Sequence, residues 1–290
     1  MSREALHRIS SGDDQLAHAR ILTNKSASTK LKANQAAALP AIVDAYVRYQ
    51  GMVAEHPGNI AAAVKGLNSY YDFLSNNGYS NIFSAQTKFR PTILEEFMYL
   101  LFKRDIEEIN RSMPGGAEGR LGLGAIKAYA RLHLSPDNLQ SFITTPEANV
   151  HVKDQDFAIY RSLELNVEGT RYSVKVPIVA IENKTYLDKT MLESSVATAE
   201  KVKSGNHNAQ FLIVSEAYDV AYTEDPSNSK IDEIFVLRKC KRAEFEQQGS
   251  RIHTDVVELL HHRVMKHLRT KWSDIENNIK TKGVVFGRAF

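Results

Sequence analysis

One cysteine, Cys240, in 290 residues excludes an internal disulfide and any multi-cysteine zinc centre, so stability must come from burial alone. Long apolar runs are also missing. Those present, such as residues 61–64 and 211–214, fall far short of the roughly 18–20 residues that a bilayer crossing requires. The opening residues, MSREALHRISSGDDQ, lack the apolar segment of a secretory signal, which makes the cytoplasm the expected location. No repeat or low-complexity tract is present. Strong net charge is absent too, at +3, and with 43% hydrophobic and 24% charged residues the composition is that of a globular chain rather than a disordered one. Its length allows one large or two modest domains with a substantial core.

The small net charge is unevenly spread. From Arg238 onward twelve basic residues face six acidic ones, so this segment carries +6 and the remainder −3. With His253, His261, His262 and His267 added, the segment could neutralise phosphates; a solvated helix face would look the same.

Up to about residue 145 the pattern predicts helices. Residues 36–56 and 60–74 carry apolar side chains at three- and four-residue spacing, and residues 92–109 (TILEEFMYLLFKRDIEEI) do the same, with Thr92 placed to cap after Pro91. Residues 112–124 (SMPGGAEGRLGLG) hold five of the fifteen glycines and read as a loop or boundary. Beyond residue 150 the period shortens. Residues 156–165 (DFAIYRSLEL) and 171–181 (RYSVKVPIVAI) predict strands joined through NVEGT, a hairpin turn. A helix over 190–203, buried strands over 209–215 and 231–237, and an amphipathic helix over 254–272 complete an α/β region.

The chemistry-bearing residues fall on the hairpin. Glu182 and Lys184 are two apart and project from one face of a strand. With the turn centred near 167–168, Asp156 lies about 12 residues before it and Glu182 about 14 after, a mismatch that a bulge at Pro177 would absorb. Two carboxylates and a lysine at one end of a sheet make a site for a hard cation, and oxygen ligands favour Mg²⁺ or Mn²⁺ over zinc. Such a site suits phosphodiester hydrolysis, with the ammonium stabilising developing charge. Glu182-Asn183-Lys184 is the only acidic-x-lysine triplet in the chain.

Asp156, then Ile181-Glu182-Asn183-Lys184, then a helix and the strand FLIVS resemble the core of the PD-(D/E)xK nuclease superfamily. KDQDFAIY, VAIENKTYLDKTMLE and FRPTILEEFMYLLF together resemble type II restriction endonucleases, and within them the BbvCI-like enzymes that cut short pseudo-palindromes. The resemblance implies an α/β restriction-endonuclease-like fold, an αβββαβ core with a mixed central sheet behind a helical N-terminal region. It implies Asp156 and Glu182 as metal ligands, Lys184 as the third catalytic residue, and Asn183 as donor of a backbone carbonyl. An acid on the preceding helix, Glu95 or Glu96, would support the metal. Gln155 stands where the motif's name has proline, which leaves Asp154 as a rival first acid.

Each of these has a plainer reading. Asp156, Glu182 and Lys184 could form a surface ion pair; Glu95 and Glu96 could complement a helix dipole. Thr190 and Glu193 suit helix capping better than phosphate contact. The histidines 261, 262 and 267 with Asp255 lack a metalloprotease spacing, and Tyr46, Tyr49, Tyr70 and Tyr71 suit core packing. Lys25, Lys30 and Lys32, in a serine- and asparagine-rich stretch, read as a DNA-backbone arm or a solvated loop; Lys189, Lys201 and Lys203 are further candidates for DNA.

The expectation is a Mg²⁺-dependent site-specific deoxyribonuclease, with Mn²⁺ able to substitute, acting on double-stranded DNA and leaving 5′-phosphate ends. Residues 1–90 would form a helical region for DNA recognition or dimerisation and residues 91–290 the nuclease core. One site per chain implies a homodimer or a heterodimer with a related subunit. Alternatives are a structure-specific repair or recombination nuclease, and a non-catalytic DNA-binding protein on a decayed core.

Overall fold

The computed structural model describes residues 2–113, 119–145, 147–248 and 250–283; residues 114–118 of the glycine-rich stretch and Arg288 of the basic tail lie outside these. In chain order the elements are α1 (Ser2–Gly12), α2 (Ala17–Ala27), α3 (Ala33–Glu55), α4 (Ile60–Asn76), α5 (Pro91–Ser112), β1 (Leu121–Leu134), α6 (Leu139–Thr144), β2 (Ala148–Val167), β3 (Thr170–Leu187), α7 (Lys189–Gly205), β4 (Gln210–Tyr218), β5 (Glu233–Val236), α8 (Arg242–Gln248), α9 (Thr254–Arg269) and α10 (Ile275–Lys282).

The five strands form one sheet in the order β1-β2-β3-β4-β5, antiparallel from β1 to β3 and parallel from β3 to β5. Parallel strands are covered on both faces and read as unbroken apolar runs. β4 (QFLIVSEAY) is such a run, buried from Gln210 through Ala217. Its alternate residues serve two layers. Leu212 and Val214 join Val179, Ile181, Phe157 and Ile159 against α5 and α9, while Phe211 and Ile213 join Ala180 and Leu187 against Leu192, Ala199 and Val202 of α7. Each large side chain so buried contributes about 1.5–3 kcal/mol.

α5 is the central helix. Pro91 occupies its first turn, where the missing N–H costs nothing. Thr92 is not the cap: it lies inside the helix, and its hydroxyl reaches back to the carbonyls of Lys88 and Phe89. Ile93, Phe97 and Phe102 of α5 share one continuous apolar cluster with α1–α4 and with one face of the sheet. Asn59 caps α4 by accepting from the Ala62 amide at 3.0 Å.

The expected helical stretch up to residue 145 is corrected by β1, which begins inside the glycine-rich segment. β1 reads LGLGAIKAYARLHL, rich in alanine and cations, and only Gly124, Ile126, Ala128 and Ala130 are buried along it. Small residues on one half-covered face carry no β-branched signature, so propensity pointed elsewhere. Gly124 has φ +118°, and a Cβ there would collide with the side chain of Gln15. The N-terminal segment can therefore lie close against β1 where its register with β2 shifts.

Candidate active site

The β2–β3 hairpin is closed by Glu168 and Gly169, both with positive φ (48° and 79°), between the paired Val167 and Thr170. This is the two-residue turn whose twist suits antiparallel strands. Its centre lies one residue later than the expected 167–168, and both strands run further from the turn than their apolar cores indicated. Ile159 pairs with Val179 but Tyr160 pairs with Pro177, so Ile178 is an extra residue. Pro177 lacks a ladder N–H and sits at that irregularity. The bulge brings Phe157 opposite Ile181, the last pair of the ladder, and leaves the next residues, Asp156 and Glu182, close enough for their charges to interact.

Asp156 accepts the backbone N–H of Asn183 through Oδ2 at 2.9 Å. Burial raises its carboxyl above the usual range, against the pull of that N–H and of Lys184, while the Glu182 charge adds to the rise. Glu182 is 8% exposed. Its Oε2 receives two contacts, the Ser195 hydroxyl at 2.5 Å and Lys184 Nζ at 3.4 Å. The side-chain oxygen and nitrogen of Asn183 are buried and have no hydrogen-bond partner among the described residues.

The two adjacent acids of α5 part company. Glu95 lies beside Asp156; burial and then the Asp156 charge push it up to about 7, with Lys88, Arg20 and Lys184 opposing. Glu96 is fully buried and accepts from the His18 and Ala19 amides, Tyr46 Oη and Gln50 Nε2 at 2.7–3.0 Å. It thereby caps the first turn of α2 from across the structure. Burial pushes its carboxyl up to about 7, against the four donors. Asp154 is exposed opposite Lys127 of β1, one strand repeat away from Asp156.

A cleft of about 650 Å³ opens beside Asp156 and Glu95, with Lys88, Lys127 and Lys175 on its walls. All three lysines are exposed, and none forms an ion pair among the described residues. They were not singled out from the sequence, because they meet only where β1 curls onto the start of β3, a contact seen as Ala128 beside Lys175. The nominated lysines lie elsewhere. Lys25 is on α2, with its ammonium 5.2 Å from the Phe83 ring centre; Lys30 and Lys32 lead into α3; Lys189 is paired with Glu224 and Lys203 with Asp232; Lys201 is exposed on α7.

Thr190 and Glu193 are exposed, and Asp188 caps α7 by accepting from the Met191 amide at 2.7 Å. His261 bonds Asp105 and stacks on Phe102, whereas His267 stacks on Trp272. Asp255 pairs with Lys239. Tyr46, Tyr49 and Tyr70 pack against one another, and Tyr71 bonds Glu216. Ser195 was missed in the sequence. A serine within the apolar stripe of Leu192, Ala199 and Val202 was the available signal.

Among the described residues no three His, Cys, Asp or Glu side chains converge as a metal cage, and no helix is long and apolar enough to cross a membrane. The free donors beside Asp156 are carboxylate oxygens, its own and that of Glu95, around a cavity with room for water, and such a set suits a hard, partly hydrated cation better than zinc.

A model of the Bpu10I restriction endonuclease family matches residues 86–263. The fold is similar to that of a solved structure described as native BbvCI A2B2 tetramer at low resolution, with a TM-score of 0.67 and 18% identity over 88% of this chain and 96% of that one. Compared by sequence with curated proteins, the chain has no significant match.

Proposed function

This chain belongs to the Bpu10I restriction endonuclease family and cleaves DNA at a specific site as a type II enzyme, and from that premise we propose that Asp156, Glu182 and Lys184 carry the reaction. The observation that supports this most directly is the hairpin register, which sets Asp156 beside Glu182 with the Asn183 N–H on Asp156 at 2.9 Å and Lys184 at 3.4 Å from Glu182. Asp156, Glu182 and the Asn183 backbone carbonyl would hold Mg²⁺, or Mn²⁺ in its place, with Glu95 supporting from α5. The ion would supply positive charge at the scissile phosphate and a bound water of lowered pKa.

The protein's own part is placement. Asn183 fixes the Asp156 carboxylate through its N–H, and Lys184 directs its ammonium at charge developing on the phosphate, leaving a 5′-phosphate end. Lys88, Lys127 and Lys175, free of ion pairs among the described residues, would seat the backbone of the strand entering the cleft. One site cuts one strand, so double-strand cleavage calls for two chains, a homodimer or a heterodimer with a related subunit. The A2B2 assembly of the BbvCI structure supports that reading. The helices before Pro91 would serve recognition or assembly.

The test is Lys184→Ala. It is expected to bind DNA about as wild type does and to lose cleavage by several orders of magnitude; turnover near the wild-type rate would remove Lys184 from the reaction.

A further inference from the structure

Ser195 is wholly buried on α7, among the inward side chains of Leu192, Ala199 and Val202 and beside Thr198, whose hydroxyl is spent on the Ser194 carbonyl. Its hydroxyl lies 2.9 Å from the Met191 carbonyl, one helical turn back, and 2.5 Å from Glu182 Oε2. A buried helical serine is satisfied by the carbonyl alone. The single proton cannot serve both acceptors, and the charged one at the shorter distance takes it. Lys184 Nζ lies against the same oxygen, at 3.4 Å. Oε1 of Glu182 has no hydrogen-bond or ion-pair partner among the described residues.

Both contacts thus fall on one oxygen and leave the other free. The terminal torsion of a glutamate is broad and roughly two-fold, so a carboxylate held only by its stem would rotate and offer either oxygen to the lysine. Resting on the reading of Glu182 as a metal ligand, we propose that Ser195 is a positioning residue: it locks Oε2 so that Glu182 meets the metal through Oε1 alone. Lys184 would then stay on Oε2 and leave Oε1 for the metal. Hydrogen-bond partners of metal-binding carboxylates act in this way, and their loss costs roughly 10- to 100-fold in metal affinity or activity.

The experiment is a Mn²⁺ titration of the full-length protein, read as free Mn²⁺ by electron paramagnetic resonance, on wild type, Ser195→Ala, Ser195→Cys and Glu182→Gln. Ser195→Ala is expected to weaken Mn²⁺ binding about 10-fold while melting within a few degrees of wild type. Ser195→Cys restores the bulk but donates poorly, and it is expected to behave like the alanine variant; it also carries the test if the alanine variant does not fold. Wild-type affinity in either serine variant, with Glu182→Gln weakened, would overturn the role of Ser195 alone. Wild-type affinity in Glu182→Gln would overturn the ligand reading on which it rests.

Discussion

Glu95 and Glu96 are consecutive on α5, yet Glu95 stands beside Asp156 at the mouth of the cleft while Glu96 is sealed against the amides of His18 and Ala19. One hundred degrees of helix separates the acid beside Asp156 from the acid buried in the frame. The Asp156 region is thereby tied to the N-terminal helices through one turn of α5.

The two acids should therefore fail differently. Glu96→Ala leaves two helix amides and two side-chain donors without a buried acceptor and is expected to destabilise the protein by about 3 kcal/mol. Glu95→Ala removes a carboxyl that burial and Asp156 disfavour as a charge, so its melting temperature is expected to stay level or rise while cleavage falls. Thermal unfolding and a cleavage assay on both variants separate the two roles.

His18 supplies a pH signature. It is buried, with Nδ1 on the Thr92 hydroxyl and Nε2 on Tyr70 Oη, and burial depresses it from 6.5 to about 3. Thr92 already donates to backbone, so Nδ1–H donates to Thr92 and Nε2 accepts from Tyr70, the arrangement of a neutral ring. A depressed histidine gives stability that is full above pH 6.5 and is lost as pH falls toward 3. Glu96, raised from 4.5 to about 7, works oppositely and loses stability as pH rises through that window. The His18 part is isolated by difference. The stability of wild type relative to His18→Gln is expected to fall by roughly 2.5 kcal/mol from pH 6.5 to 4.5, at about 1.4 kcal/mol per unit. A pH-independent difference would contradict the neutral ring.

The cleft lysines make a prediction in salt. Lys88→Ala, Lys127→Ala and Lys175→Ala are each expected to lower the slope of log binding constant against log salt by about 0.9, uniformly across DNA sequences. Lys189→Ala and Lys203→Ala, whose partners Glu224 and Asp232 already neutralise them, are expected to change it less. Equal effects in both groups would move the DNA path away from the cleft.

Much of this architecture was legible before the structure, for identifiable reasons. FLIVS is a short, β-branched apolar run of the kind a strand covered on both faces shows, and NVEGT between two β-rich runs is a turn signal, so the hairpin and its Asp156, Glu182 and Lys184 emerged from local rules. β1 did not, because three of its four buried residues are alanine or glycine and its strand character comes from pairing with β2. The αβββαβ order came from the family resemblance and not from its own residues. Glu95 could not be told from Glu96, since the face of α5 that meets α2 is set by residues 77 and 78 positions away. The register arithmetic foresaw the irregularity at Pro177 but misplaced the turn by one residue.

Glu216 frames the far side of the sheet. It is fully buried between Arg238 at 2.8 Å and Arg90 at 3.2 Å and accepts from Tyr71. Replacing it alone strands two arginines in the interior, and Glu216→Leu is expected to cost roughly 3–5 kcal/mol in chemical denaturation.

The most direct test is cleavage of phage DNA by the purified protein in Mg²⁺, beside Glu182→Ala and an EDTA control, with the ends sequenced. Discrete fragments sharing one short motif, with 5′-phosphate ends and none in either control, are the expected result. The same fragments from Glu182→Ala would contradict the assignment of the reaction to the Asp156–Glu182 site.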